Sequence, residues 1–76
     1  MIQVVTLTTD KHYGKQLREI RKSVGMTQTE VARNIGTSSG NISHFEHGDN
    51  TRGNGSMKSA IDYAKALGAT RLEIEL

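Results

Sequence analysis

Residues 26–48, MTQTEVARNIGTSSGNISHFEHG, carry two short apolar periodicities on either side of one glycine, and their reading decides the fold. Thr27 and Glu30 have the T-x-x-E spacing of a capping box, in which each side chain satisfies a backbone N–H at a helix start. Met26 and Val31 sit where a hydrophobic staple would close. The helix begun there buries Val31, Ala32 and Ile35 and stops at Gly36. A second helix starts after Ser38 and ends at Gly48, with Ile42 and Phe45 inward at helical spacing. Its other face holds Gly40, Ser43, His44 and His47, a small and polar set that offers hydrogen-bonding groups.

Outward from this segment the pattern stays helical until the ends. Tyr13, Leu17, Ile20 and Val24 recur at helical spacing, which predicts a helix from about Lys11 to Val24, with Asp10 as cap and Gly25 as stop. A further helix is expected from a Ser56 cap to Ala66 or Leu67, burying Met57, Ala60, Ile61, Ala64 and Leu67 before Gly68. The glycine- and asparagine-rich residues 49–55 read as an exposed loop. At the ends the period changes to two. IQVVTLT (2–8) is β-branched, with Ile2, Val4 and Leu7 as its apolar set; in RLEIEL (71–76), Leu72, Ile74 and Leu76 alternate with Arg71, Glu73 and Glu75. The expectation is a mainly α bundle of four to five helices with short N- and C-terminal β-strands that pair in a dimer. It forms a single domain over 1–76: strand 1–8, helical core 11–67 and strand 71–76.

Composition narrows the function classes. A chain of 76 residues buries a small core, so a partner copy is expected to complete it. Cysteine is absent, which excludes disulfides and thiolate metal sites and suits a reducing cytoplasm. The first residues lack a basic n-region, and their apolar run is too short for a signal peptide or a spanning helix, so a soluble cytoplasmic protein is expected. The formal charge is +2, with Lys11, Lys15, Arg18, Arg21 and Lys22 close together and two glutamates in the tail. No Ser/His/Asp arrangement or carboxylate pair can be assembled, and TRGNGS lacks the lysine and strand-to-helix context of a phosphate loop, so neither catalysis nor a cofactor is expected. His44 and His47 share a face, but no third metal ligand stands near them.

Two short helices joined by a tight turn at Gly36, with the small Ala32 where the second passes close, describe a helix-turn-helix. Gln28, Ala32, Gly36, Ile42, Phe45, Glu46 and Gly48 stand at fixed offsets, and in these positions MTQTEVARNIGTSSGNISHFEHG resembles the helix-turn-helix of the Cro and C-repressor (XRE) family. SMKSAIDYAKALG is similar to that family's next helix, and the resemblance runs from about residue 14 to Leu67. It implies a lambda-repressor-like bundle with helix 39–47 as the recognition helix in the major groove. Ser39, Gly40 and His44 then occupy base-contact positions, with Ser43 and His47 close by. Gln28 and Thr27 fall at a phosphate-contacting helix start, and Asn41, Arg52 and Lys15 are further phosphate candidates. The resemblance also implies an internal ion pair between Arg21 and Glu46.

The sequence departs from the family where many relatives place glutamine or arginine. Ser39 can donate or accept almost anywhere and Gly40 reads nothing, so specificity rests on His44, Asn41 and His47 with help from DNA shape, or selectivity is modest. The loop around Arg52 is longer than is usual in the family and lacks its proline; it either touches DNA or is an inert linker. Pairing of the terminal strands, through Ile2, Val4, Leu72, Ile74 and Leu76 within or between chains, would give a two-fold homodimer, and a strand directly after ALG resembles antitoxin members of the superfamily. Two functions follow from the resemblance. The first is a transcriptional repressor binding a pseudo-palindromic operator in double-stranded DNA as a homodimer. The second is a DNA-binding antitoxin or adaptor whose main work is holding a toxin or other protein partner.

Overall fold

A computed structural model of the chain describes residues 3–48 and 56–75. The elements run β1 (Val4–Thr8), α1 (Tyr13–Ser23), α2 (Gln28–Ile35), α3 (Ser39–His47), α4 (Met57–Ala66) and β2 (Arg71–Glu75). The protein is thus a mainly helical bundle with a two-stranded sheet, and four helices lie among the described residues. Ile2, Leu76 and residues 49–55, the expected loop that includes Arg52, lie outside them.

The two strands pair with each other inside one chain, and in parallel: Val5 stands opposite Leu72, and Leu7 opposite Ile74. A parallel pair cannot be joined by a hairpin, so the four-helix bundle itself is the crossover between them. Gln3 fastens the chain ends together, its carbonyl accepting from the Thr70 N–H at 2.8 Å and the Arg71 N–H at 3.2 Å. The face expected for β1 is corrected. Val4 and Leu7 have opposite parity and cannot share a face of a strand. Leu7 is buried, so Val5 joins it inward and Val4 points out, 43% exposed. On β2, Leu72 and Ile74 form the half-buried inner face.

Helix α1 begins two residues later than expected, and its cap is His12 rather than Asp10, whose carboxylate accepts from the Thr8 hydroxyl. The His12 Nδ1 accepts from the Gly14 N–H at 3.0 Å, a bond that requires an unprotonated nitrogen. Burial, and then the charge of Lys15, holds this imidazole below its ordinary pKa and so keeps the acceptor available. Gln16 completes the junction. Its amide accepts from the Thr8 N–H at 2.9 Å and donates to the Thr8 carbonyl at 2.8 Å, as a neighbouring strand would.

The α2–α3 turn forms as the capping residues dictate. Thr27 and Glu30 make both bonds of the capping box, Ser38 caps α3, and Gly36 turns the chain at φ 88°, where a side chain would be strained. On α4 the expected stripe is corrected. Ala60, Tyr63, Ala64 and Leu67 follow the i, i+3, i+4, i+7 pattern and are buried. Met57 and Ile61, one turn apart on a neighbouring stripe, are 40% and 37% exposed.

The core joins Val5 and Leu7 of β1 to Tyr13 and Leu17 of α1, Val31 and Ala32 of α2, Ile42 of α3 and the α4 stripe. Its tightest approach is at Gly14, where a Cβ would lie 1.9 Å from the backbone oxygen of Phe45. Only glycine lets α1 cross α3 at this distance. Replacing Gly14 by alanine drives the helices apart, and urea unfolding is expected to show a loss of about 1–3 kcal/mol, the range of core overpacking. An unchanged unfolding midpoint would contradict the close crossing.

Candidate nucleic-acid interface

The surface of α3 is set from below by one carboxylate. Glu46 is 1% exposed, and its two oxygens collect donors from three other helices. Arg21 of α1 gives Nε to Oε2 at 2.8 Å and a second guanidinium nitrogen to Oε1 at 3.2 Å. Gln28 of α2 gives Nε2 to Oε1 at 3.0 Å, and the Tyr63 hydroxyl of α4 donates to Oε2. Arg18 adds a longer ionic contact of 3.7 Å. Arg21 in turn donates to the Met26 carbonyl at 2.7 Å, which fixes the turn that leads into α2.

These donors decide the charge state of the cluster. Burial pushes the Glu46 carboxyl up, but hydrogen bonds from Arg21, Tyr63 and Gln28 outweigh it and hold the group below the usual carboxylate range. The hydrogen bond to Glu46 raises Arg21, against its own burial. Burial, and then Glu46, pushes the Tyr63 phenol up and keeps it a donor. Every buried side-chain polar atom among the described residues has a partner. The charge of Glu46 is therefore spent inside the fold and does not oppose an anion at the α3 surface.

With Ile42 and Glu46 inward, α3 presents Ser39, Gly40, Asn41, His44 and His47 as exposed positions, and Ser43 is half-buried beside them. Gly40 has no packing role: a Cβ there would meet nothing nearer than the Ser38 hydroxyl at 3.8 Å. The Asn41 amide donates to the Thr37 hydroxyl at 2.7 Å. His47 is held by the Ser43 carbonyl, 2.7 Å from Nδ1, which assigns the proton to Nδ1 and fixes the ring.

The residues expected at phosphate are more dispersed. Thr27 is exposed but committed to the capping box, Lys15 is exposed on α1, and Gln28 is turned toward Glu46, spending one amide hydrogen there. Among the described residues no cluster of His, Cys, Asp or Glu is arranged to hold a metal, and no helix is long and apolar enough to cross a membrane. Sequence reading reached Arg21 and Glu46 but not Tyr63 or Gln28 as their partners. Tyr63 sits in the last turns of a helix with no spacing relation to Glu46, so no local signal could have joined them.

A capped helix, a glycine turn and a second helix whose polar face is free of core duty define a DNA-binding unit of the helix-turn-helix class. Comparison agrees: residues 12–76 match the model of the helix-turn-helix domain, and the chain belongs to that family. The match begins at the α1 cap and runs through β2, leaving β1 outside it. No curated protein and no solved structure matches the chain.

Removing Arg21 leaves a buried carboxylate without its cation, and Arg21→Ala is expected to cost about 3–5 kcal/mol in urea unfolding. The pH dependence follows from the lowered Glu46 pKa. Because the folded value lies below the unfolded one, the stabilisation is fully present above the unfolded carboxylate value of about 4.3. It is lost as pH falls through the folded value. Wild-type unfolding midpoints should therefore decline on the acid side, and a flat acid limb would contradict this coupling.

Proposed function

We propose that the protein is a transcriptional repressor that binds a pseudo-palindromic operator as a homodimer, with α3 in the major groove. The observation that carries this reading is the outer face of α3. It is polar, exposed and relieved of packing, while Ile42 and the neutralised Glu46 hold the helix at a fixed angle on the domain. Base reading falls to His44, with Ser39, Ser43 and His47 beside it, and backbone positioning to Thr27, Gln28, Asn41, Lys15 and Arg52. Gly40 has open space around it, so its missing side chain serves the approach of a groove floor rather than the fold. Dimerisation is assigned to the sheet, where Val4 stands exposed on the outer face and Leu72 and Ile74 stay half-buried on the inner one.

Selection of bound DNA from a random pool, scored with a salt series and with sedimentation of the free protein, tests this reading. A palindromic site with half-sites about one turn apart and a dimer in solution are expected. Failure to enrich any palindrome would sink the dimeric operator reader. A second protein held in stoichiometric amount by the natively expressed chain would move the reading to the antitoxin or adaptor alternative.

Two variants separate folding from recognition. Gly40→Ala removes a glycine from the first turn of α3 with no steric conflict, so it should stabilise the fold by about 0.4–1 kcal/mol while weakening DNA binding. His44→Ala should leave stability unchanged and lose roughly fivefold or more of the preference for the selected site. If His44→Ala keeps both affinity and preference, base reading lies elsewhere.

A further inference from the structure

A cleft opens between α1 and the last turn of α3, with Lys11, Lys15, Arg18, Glu19, Glu46 and His47 in its lining. Lys15 and Arg18 stand one turn apart on α1, Lys11 lies just before its His12 cap, and all three contribute to the lining. The charge balance is one-sided. Glu46 is neutralised by Arg21, which leaves Glu19 as the opposing carboxylate against Lys11, Lys15 and Arg18. Arg18 is anchored along one edge by its 3.7 Å contact with Glu46, while its side chain remains 41% exposed. Lys11 and Lys15 are exposed. On the opposite wall, the bond from Nδ1 to the Ser43 carbonyl fixes the His47 ring, leaving Nε2 as the ring's other polar atom.

His47 belongs both to this wall and to the exposed face of α3, so the cleft continues the proposed reading surface past the end of the helix. We propose that the cleft is a second anion site, which seats a phosphodiester of the DNA backbone beside the half-site read by α3. This rests on the placement of α3 in the major groove. A helix lying there runs between two phosphate walls, and a basic cleft at the end of that helix meets one of them. Lysine ammonium groups act there as point charges and carry no sequence information, so the site positions the domain and adds affinity without preference. Inorganic phosphate offers the same chemistry but lacks the neighbouring groove that would align it with α3.

The test compares the full chain with its Lys11→Gln/Lys15→Gln variant. Two duplexes are used, each extending a full turn beyond the half-sites: one carrying the selected site, one of random sequence. The variant is expected to lose affinity by the same factor on both duplexes. Its salt dependence should be shallower by about 0.9 in log–log slope, the value for the one phosphate contact removed. Methylphosphonate linkages just outside the half-site should weaken the wild type and leave the variant unaffected. An unchanged slope, or an equal methylphosphonate penalty in both proteins, overturns the proposal. So does loss of inorganic phosphate binding in the variant with DNA binding intact, because the site then serves a free anion. Selective DNA binding with an unaltered slope defeats this site alone, whereas a wild type that binds neither duplex defeats it together with the operator reading.

Discussion

The buried Glu46 carboxylate is the point on which the helices depend for their mutual orientation. It sits on α3 and accepts from Arg21 of α1, Gln28 of α2 and Tyr63 of α4, and Arg21 extends the network to the turn before α2. A charge at this depth is costly to desolvate, and a well-packed apolar residue could hold the fold as tightly. Hydrogen bonds, unlike apolar contacts, have direction. The network specifies one rotation of α3 about its axis, because its donors reach the carboxylate together only when Glu46 faces inward. The opposite face of α3 is then fixed without using any of its side chains.

That division of labour explains the composition of α3. Its inward positions are few, Ile42 and Glu46 with the half-buried Phe45, and its outward positions are small or polar. A helix this short with such a weak apolar stripe would not hold its place by hydrophobic burial alone. The capping serine at its start, the left-handed glycine at its end and the carboxylate network replace what a larger apolar face would supply. Phe45 adds an aromatic edge, its ring 5.7 Å from His12 and 5.9 Å from Tyr63. The first turn of α1 is thereby coupled to the last turn of α3, and the Gly14 crossing brings their backbones together at the same place.

Legibility in the sequence follows the range of the interaction. The capping box at Thr27, the Ser38 and Ser56 caps and the glycine stops are local, and the structure has all of them where the spacing puts them. On α4 the expected burial of Met57 and Ile61 fails because helical spacing defines several overlapping stripes, and the weakest apolar residues, alanines at 60 and 64, mark the true one. For β1, an apolar set drawn across both parities could not be one face, and the burial of Leu7 decides which parity wins. His12 as a cap was obscured by the better-known capping residue two positions earlier. Of the Glu46 network, the Arg21 partner was accessible only through family resemblance, while Tyr63 and Gln28 lie 17 and 18 residues away with no pattern linking them. Gly14 did leave a trace, as a glycine inside an amphipathic helix, where its conformational cost calls for a packing reason.

The sheet is the part of the fold most dependent on the rest. Its two strands come from opposite ends of the described chain, and the Thr70 hydroxyl reaches the Gln3 carbonyl across a sequence separation of 67 residues. Closing a flexible loop of that length costs roughly 4 kcal/mol in chain entropy, more than five residue pairs on a half-buried face return. The bundle removes most of that cost by setting the end of α4 beside the start of the chain, with Gln16 holding the far end of β1 in place. An isolated pair of these strands would not persist. The sheet therefore exists only on a folded helical core, and the network that orients α3 is a condition for the sheet too. The outward face of α3 and the sheet thus both depend on the helical core that this buried carboxylate orients.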